Sequence, residues 1–152
     1  MSATNFSGPV VSAAGFTTGQ AGQLTDIAAA YVSVTAGHTC TYADHDKTLF
    51  LADAASGDVT LPVVTLAGFR VRVVCGFAIT TSSGVLSAEG DNISGTLVVN
   101  GATVLAEVED QINFILNLAE IGDYVDFVSD GTKWIVSGMG GAAGSVTATD
   151  PA

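Results

Sequence analysis

Positive charge is what this chain has least of: 4 Lys and Arg stand against 15 Asp and Glu in 152 residues, a formal net charge of −11 at pH 7. Nucleic-acid binding needs clustered Lys and Arg to displace counterions from phosphates, and Lys47, Arg70, Arg72 and Lys133 cannot supply that. Anionic membrane surfaces are disfavoured on the same ground, so neither nucleic acid nor membrane is an expected partner. Charge of either sign is scarce, at 12% of residues, about half the usual share. The surface must then be Ser, Thr, Asn, Gly and Ala. Such a neutral skin suits a protein packed against other protein in an assembly, or an ordinary extracellular or viral β domain. With only Cys40 and Cys75, a dense disulfide framework is excluded. The two read as small buried hydrophobes, and a bridge between neighbouring strands stays open. No apolar run approaches the length of a membrane span. The opening residues Met1 to Phe6 have neither a basic start nor an apolar run, so no secretory leader is expected there.

What is present is a core-forming composition. Hydrophobic residues make up 48%, enough for one domain at this length and against disorder. The last third holds a hairpin signal: Tyr124, Val125, Phe127 and Val128, then Asp130-Gly131, then Trp134, Ile135 and Val136. Gly and Asp tolerate the positive φ of a tight turn between β-rich runs. Asn100-Gly101 marks a second hairpin, between Thr96–Val99 and Thr103–Ala106. In Phe69-Arg70-Val71-Arg72-Val73-Val74-Cys75, Phe69, Val71, Val73 and Cys75 share one face and Arg70 and Arg72 the other. Gly76 to Thr81 is expected to continue that strand through a bulge, before Ser82-Ser83-Gly84 turns the chain.

Further strands are expected at Tyr31–Thr35, Thr39–Tyr42, Lys47–Ala52 and Asp58–Leu61, the last stopped by Pro62. Another is expected where Ile112, Phe114, Leu116 and Leu118 alternate. Thr25 to Ala30 opens a short helical turn or leads straight into the first strand. About ten closely spaced strands with turn clusters predict an all-β fold, an antiparallel β-sandwich or jelly-roll-like body over 25–138. No fixed-period repeat argues for a solenoid.

Both ends differ from this body. Residues 1–24 carry no charge and only isolated large apolar side chains, among them Phe6, Val10, Val11 and Phe16, with Pro9 and recurrent Gly. That pattern sustains neither a long helix nor a continuous strand. It reads as an extended N-terminal arm that docks a few anchors elsewhere, reaching on the order of 80 Å when stretched, or as a frayed terminus. Residues 139–152 are expected to form a flexible C-terminal tail.

No catalytic pattern accompanies the fold. Asp44-His45-Asp46 is the one sequence cluster that suggests a metal or acid–base site. Its residues are adjacent and would point to alternating sides, so it reads as a solvated turn and no metal ligand is assigned. Asp123, Asp126 and Asp130 lack the calcium-loop spacing and read as turn caps. Glu107, Glu109 and Asp110 read as a charged loop rather than a carboxylate pair in a pocket. There is no Gly-x-Ser-x-Gly elbow and no phosphate-binding glycine loop. Neither an enzyme nor a cofactor is expected. Arg70 and Arg72 are candidates for a subunit interface, or for pairing with this chain's own acids.

The residues also carry a resemblance. Asn5 to Phe16 resembles the N-termini of small proteins encoded beside the major capsid protein in tailed bacteriophages. Lys47–Leu51, Val59–Pro62, Ala67–Phe69, Asn92–Leu97, Gly122-Asp123 and Ser129–Trp134, in that order, are similar to a β domain of phage head-decoration and head-fibre proteins. The resemblance implies a non-enzymatic virion component made in the bacterial cytoplasm. It would sit on the outer capsid as a homotrimer, bound to the major capsid protein. The docking residues would be Phe6, Pro9, Val10 and Phe16 of the arm. A rival within the same resemblance is a fibre or receptor-binding module for host glycans, with Trp134 or Tyr124 stacking a sugar.

Overall fold

A computed structural model describes residues 30–90 and 92–150. The expected arm over 1–24, its anchors Phe6, Pro9, Val10 and Phe16, and the turn from Thr25 to Ala29 lie outside the described residues.

The fold is an all-β sandwich. Its strands are β1 (Tyr31–Val34), β2 (His38–Thr39), β3 (Thr48–Leu51), β4 (Val59–Thr60), β5 (Arg70–Cys75) and β6 (Ser83–Leu86) in the first half. The second half holds β7 (Ile93–Val99), β8 (Ala102–Glu109), β9 (Gln111–Phe114), β10 (Tyr124–Ser129), β11 (Trp134–Gly140) and β12 (Val146–Thr149). The helical element among the described residues is a 3-10 turn, Tyr42–Asp44. One sheet has seven strands in the order β1-β3-β5-β10-β11-β7-β8, the other five in the order β12-β9-β6-β4-β2.

The sheets are mixed rather than antiparallel, and the reason is the first half. Odd strands β1, β3 and β5 pair in parallel in the large sheet, even strands β2, β4 and β6 in parallel in the small one. The chain therefore winds through three rungs of a flattened parallel coil. Tyr31, Thr48 and Arg72 stand in register although 17 and then 24 residues separate them. That unevenness is why no repeat period is visible in this half. The corners are stacked closely: Gly37 and Gly57 both have positive φ, +85° and +72°, and a Cβ on Gly57 would lie 2.8 Å from the Gly37 nitrogen.

The second half is dominated by hairpins. Asn100 (φ 50°) and Gly101 (φ 75°) form the two-residue primed turn between β7 and β8. The β10–β11 hairpin is also present, but its loop is the four residues 130–133 rather than a two-residue turn. Asp130 Oδ1 accepts from the backbone N–H groups of Thr132 and Lys133 at 2.7 and 2.8 Å, which closes that loop. β11 then pairs in parallel with β7. Gly95 faces Val136 there so closely that a Cβ would run into the Val136 carbonyl.

Several boundaries differ from expectation. β5 ends at Cys75, and 76–82 cross between the sheets, with the Thr80 N–H donating to the Ala54 carbonyl, so that Ser83 opens β6 instead of a turn. β9 stops at Phe114, where a turn takes over: the Leu118 and Ala119 N–H groups donate to the Ile115 carbonyl, Asn117 adopts positive φ, and Leu116 and Leu118 are exposed. Glu107 and Glu109 belong to β8, with Val108 as a bulge at φ +68°. The C-terminal stretch is not a loose tail up to residue 149. β11 runs to Gly140, and β12 adds to β9 with Val146 buried, since an apolar side chain and an open sheet edge were both available.

One core joins the sheets. The inward faces contribute Leu49, Leu51, Val73, Val125, Phe127 and Leu97 from the large sheet and Val59, Val85, Ile112 and Phe114 from the small one. Trp134 is fully buried and meets Phe69 edge-on with ring centres 5.9 Å apart.

Candidate docking surface and side-chain clusters

Alternation gives the large sheet a second, outward face. Following the register from strand to strand places Phe50, Val74, Tyr124, Met139 and Val98 in one continuous row across β3, β5, β10, β11 and β7. Phe50 is 36% exposed, Val98 44% and Met139 51%. Tyr31, on the edge strand β1, meets Phe50 edge-on at 6.1 Å. Val128 and Ile135, register partners on β10 and β11, add a second exposed apolar pair on the same face. A contiguous exposed apolar band on a β face marks a surface that contacts protein, membrane or ligand.

Each arginine on this face pairs with an acid of the same chain, while Glu107, opposite Ser94 on β8, adds an exposed acid to it. Arg72 donates from Nε and Nη2 to the two oxygens of Asp126 at 2.6 and 2.7 Å. Its guanidinium also lies over the Tyr124 ring, 4.6 Å from the centre. Arg70 Nε donates to Asp46. That hydrogen bond, with the nearby positive charge, holds the Asp46 carboxyl below its ordinary range. Exposed pairs of this kind are screened by solvent and add little to stability. Both arginines thus have partners within the chain, the second of the two readings given for them. They rim an open depression of about 500 Å³ with Lys47, Thr48, Asp46 and Asp126.

The other sequence candidates resolve individually. Asp44-His45-Asp46 does not act as a unit. Asp44 is buried and closes a capping box with Thr41, while His45 and Asp46 turn towards β5. Burial pushes the Asp44 carboxyl up, but the Thr41 backbone N–H, the His38 ring and the Thr41 hydroxyl together bring it below its ordinary value. Asp123 is a cap, accepting from the Glu120 and Gly141 backbone N–H groups at 3.0 and 2.8 Å. Trp134 is in the core and offers no ring to a sugar, and one face of Tyr124 is covered by Arg72.

Cys40 and Cys75 are buried and unbridged. Burial, aided by the Asp44 charge, pushes the Cys40 thiol up to about 12, and burial raises Cys75 to about 11.

Two features escaped the sequence reading. The apolar row is assembled from five strands, and its signal was the apolar residue on the polar side of each alternation, such as Phe50 and Val74. The meeting of His38, Cys40 and Asp44 was signalled only by the i, i+2 spacing of His38 and Cys40. Compared with known proteins, the chain matches no family model and no curated sequence.

Proposed function

We propose that this chain is a structural component of a phage head, a decoration protein that attaches to the outer capsid and reinforces it. The observation that carries the proposal is the exposed apolar row on the outer face of the seven-stranded sheet, whose two arginines are paired within the chain. The scarcity of charge, the uncharged leader over 1–24 and the ordered likeness of its segments to head-decoration and head-fibre proteins support it.

In this reading the leader docks Phe6, Pro9, Val10 and Phe16 on the major capsid protein, and the body covers joints between capsomers. Several leaders held in one oligomer, a trimer by the same likeness, make the second and third attachments intramolecular, so individually weak arms suffice. Stabilisation comes from surface buried across joints and involves no chemistry.

The test is co-sedimentation with expanded heads of the phage that encodes the chain. Full-length protein is expected to saturate the heads, and a Phe6→Ala, Val10→Ala, Phe16→Ala variant with an unchanged melting temperature is expected to stay in the supernatant. Equal binding by the two would overturn the role of the leader. No binding by either would overturn the decoration function itself.

A further inference from the structure

The seven residues from His38 to Asp44 bring three different donor types to one point. His38 and Cys40 lie two apart in an extended segment, so their side chains share a side of the edge strand β2. The 3-10 turn then folds Asp44 back, held by the Thr41 N–H at 2.8 Å and the Thr41 hydroxyl at 3.2 Å. The result places a ring nitrogen of His38, the sulfur of Cys40 and a carboxylate oxygen of Asp44 all within 4.8 Å of one another. His38 Nε2 and Asp44 Oδ2 are already 3.3 Å apart.

We propose that His38, Cys40 and Asp44 form a binding site for a thiophilic divalent cation of the zinc class, completed by water. Tetrahedral zinc with N, O and S ligands needs donors about 3.4–3.7 Å apart, so the widest gap closes by about 1 Å. One thiolate, one carboxylate and one neutral imidazole balance a dication, and the mixed set excludes the hard cations that take oxygen alone. On binding, the Cys40 S–H bond gives its proton to solvent as the sulfur–metal bond forms, and the proton that His38 Nε2 shares with Asp44 passes to Nδ1 through water, or to solvent if the ring is cationic, which frees the Nε2 lone pair and the carboxylate oxygen for two metal–ligand bonds. The Thr41 groups stay on the carboxylate as its supporting shell.

Lys47 Nζ is 3.5 Å from Asp44 Oδ1 and opposes the cation. It is a quarter exposed, and its long stem lets it swing outward. His45 is not a fourth ligand, because its Nδ1 accepts the Arg70 N–H and its Nε2 faces Asp46. The partly exposed His38 side is the entry path and the position for water. The ion would tie β2, only two residues long and at a sheet edge, to the turn that leads into β3. This site is independent of the proposed attachment to a capsid.

Cobalt titration of the reduced, metal-free full chain tests it. The expected result is a thiolate-to-cobalt charge-transfer band, release of a proton on binding, and loss of the band when zinc is added. His38→Ala, at a part-exposed position, should bind cobalt at least about tenfold more weakly. Cys75→Ser should behave as the parent, and Cys40→Ser should lose the band. A parent without the band at millimolar cobalt would overturn the site. So would a band that survives Cys40→Ser or follows Cys75, or unchanged affinity in His38→Ala, which decides the matter if Cys40→Ser does not fold.

Discussion

The two halves of the sandwich reach the same core by opposite routes. Residues 31–86 wind as a parallel coil whose rungs pair strands distant in sequence. Residues 93–149 form mainly antiparallel neighbours, two of them joined by short hairpin loops. In the coil the corners are stacked on one another, so a corner glycine is required both for its φ and for its lack of a side chain. In a hairpin the turn stands in solvent, and only φ constrains it. Gly57 and Gly101 make the comparison cleanly. Their φ angles are nearly equal, +72° and +75°, yet a Cβ on Gly57 would meet the Gly37 backbone, while one on Gly101 would meet nothing within 4 Å.

The largest effect is expected where the halves differ least, at the parallel seam between β7 and β11. Gly95→Val has no space for its side chain beside the Val136 carbonyl. It should cost more than about 3 kcal/mol, read as a collapse of the urea midpoint. A midpoint close to the parent's would show that the seam can open without loss. Gly57→Ala should cost about 2–3 kcal/mol, combining strain with corner overlap, against about 1 kcal/mol for Gly101→Ala, where strain acts alone. Equal losses in the two would remove the distinction between corner and turn. The smallest change runs the other way. Val108 is a β-branched residue at φ +68° in an exposed bulge, and Val108→Gly should gain up to about 1 kcal/mol in the same titration. A loss would mean that the Val108 side chain contributes more than its backbone conformation costs.

This contrast also explains what could be read in the sequence. Hairpins are local, and Asn100-Gly101 and Asp130-Gly131 announce themselves by residue type. The strict alternation of β5 placed Arg70 and Arg72 outward and Val71, Val73 and Cys75 inward, as found. The parallel coil has no local signature, because its pairing partners are set by rungs of unequal length. Short strands such as β2 and β4, two residues each, fall below the length at which alternation can be recognised. The C-terminal strand β12 was hidden by its Gly- and Ala-rich approach, since only Val146 marks it as core-facing.

The candidate surface was legible to the same degree. Both arginines could be placed on the outer face, but their partners Asp46 and Asp126 lie 24 and 54 residues away. The apolar row needs the registers of five strands at once. Donor types cannot be grouped from spacing when a capping turn folds one of them back, which is how Asp44 joins His38 and Cys40 while the adjacent His45 does not.

The central claim is that this body sits on a protein shell in many copies. A reconstruction of the intact particle of the phage proposed to encode it addresses that claim most directly. The account predicts density for the β body repeated over the outer shell, with the seven-stranded sheet's apolar row turned towards neighbouring protein. Particles whose shells lack the protein, or that carry a few copies at the tail alone with that face open to solvent, would contradict it.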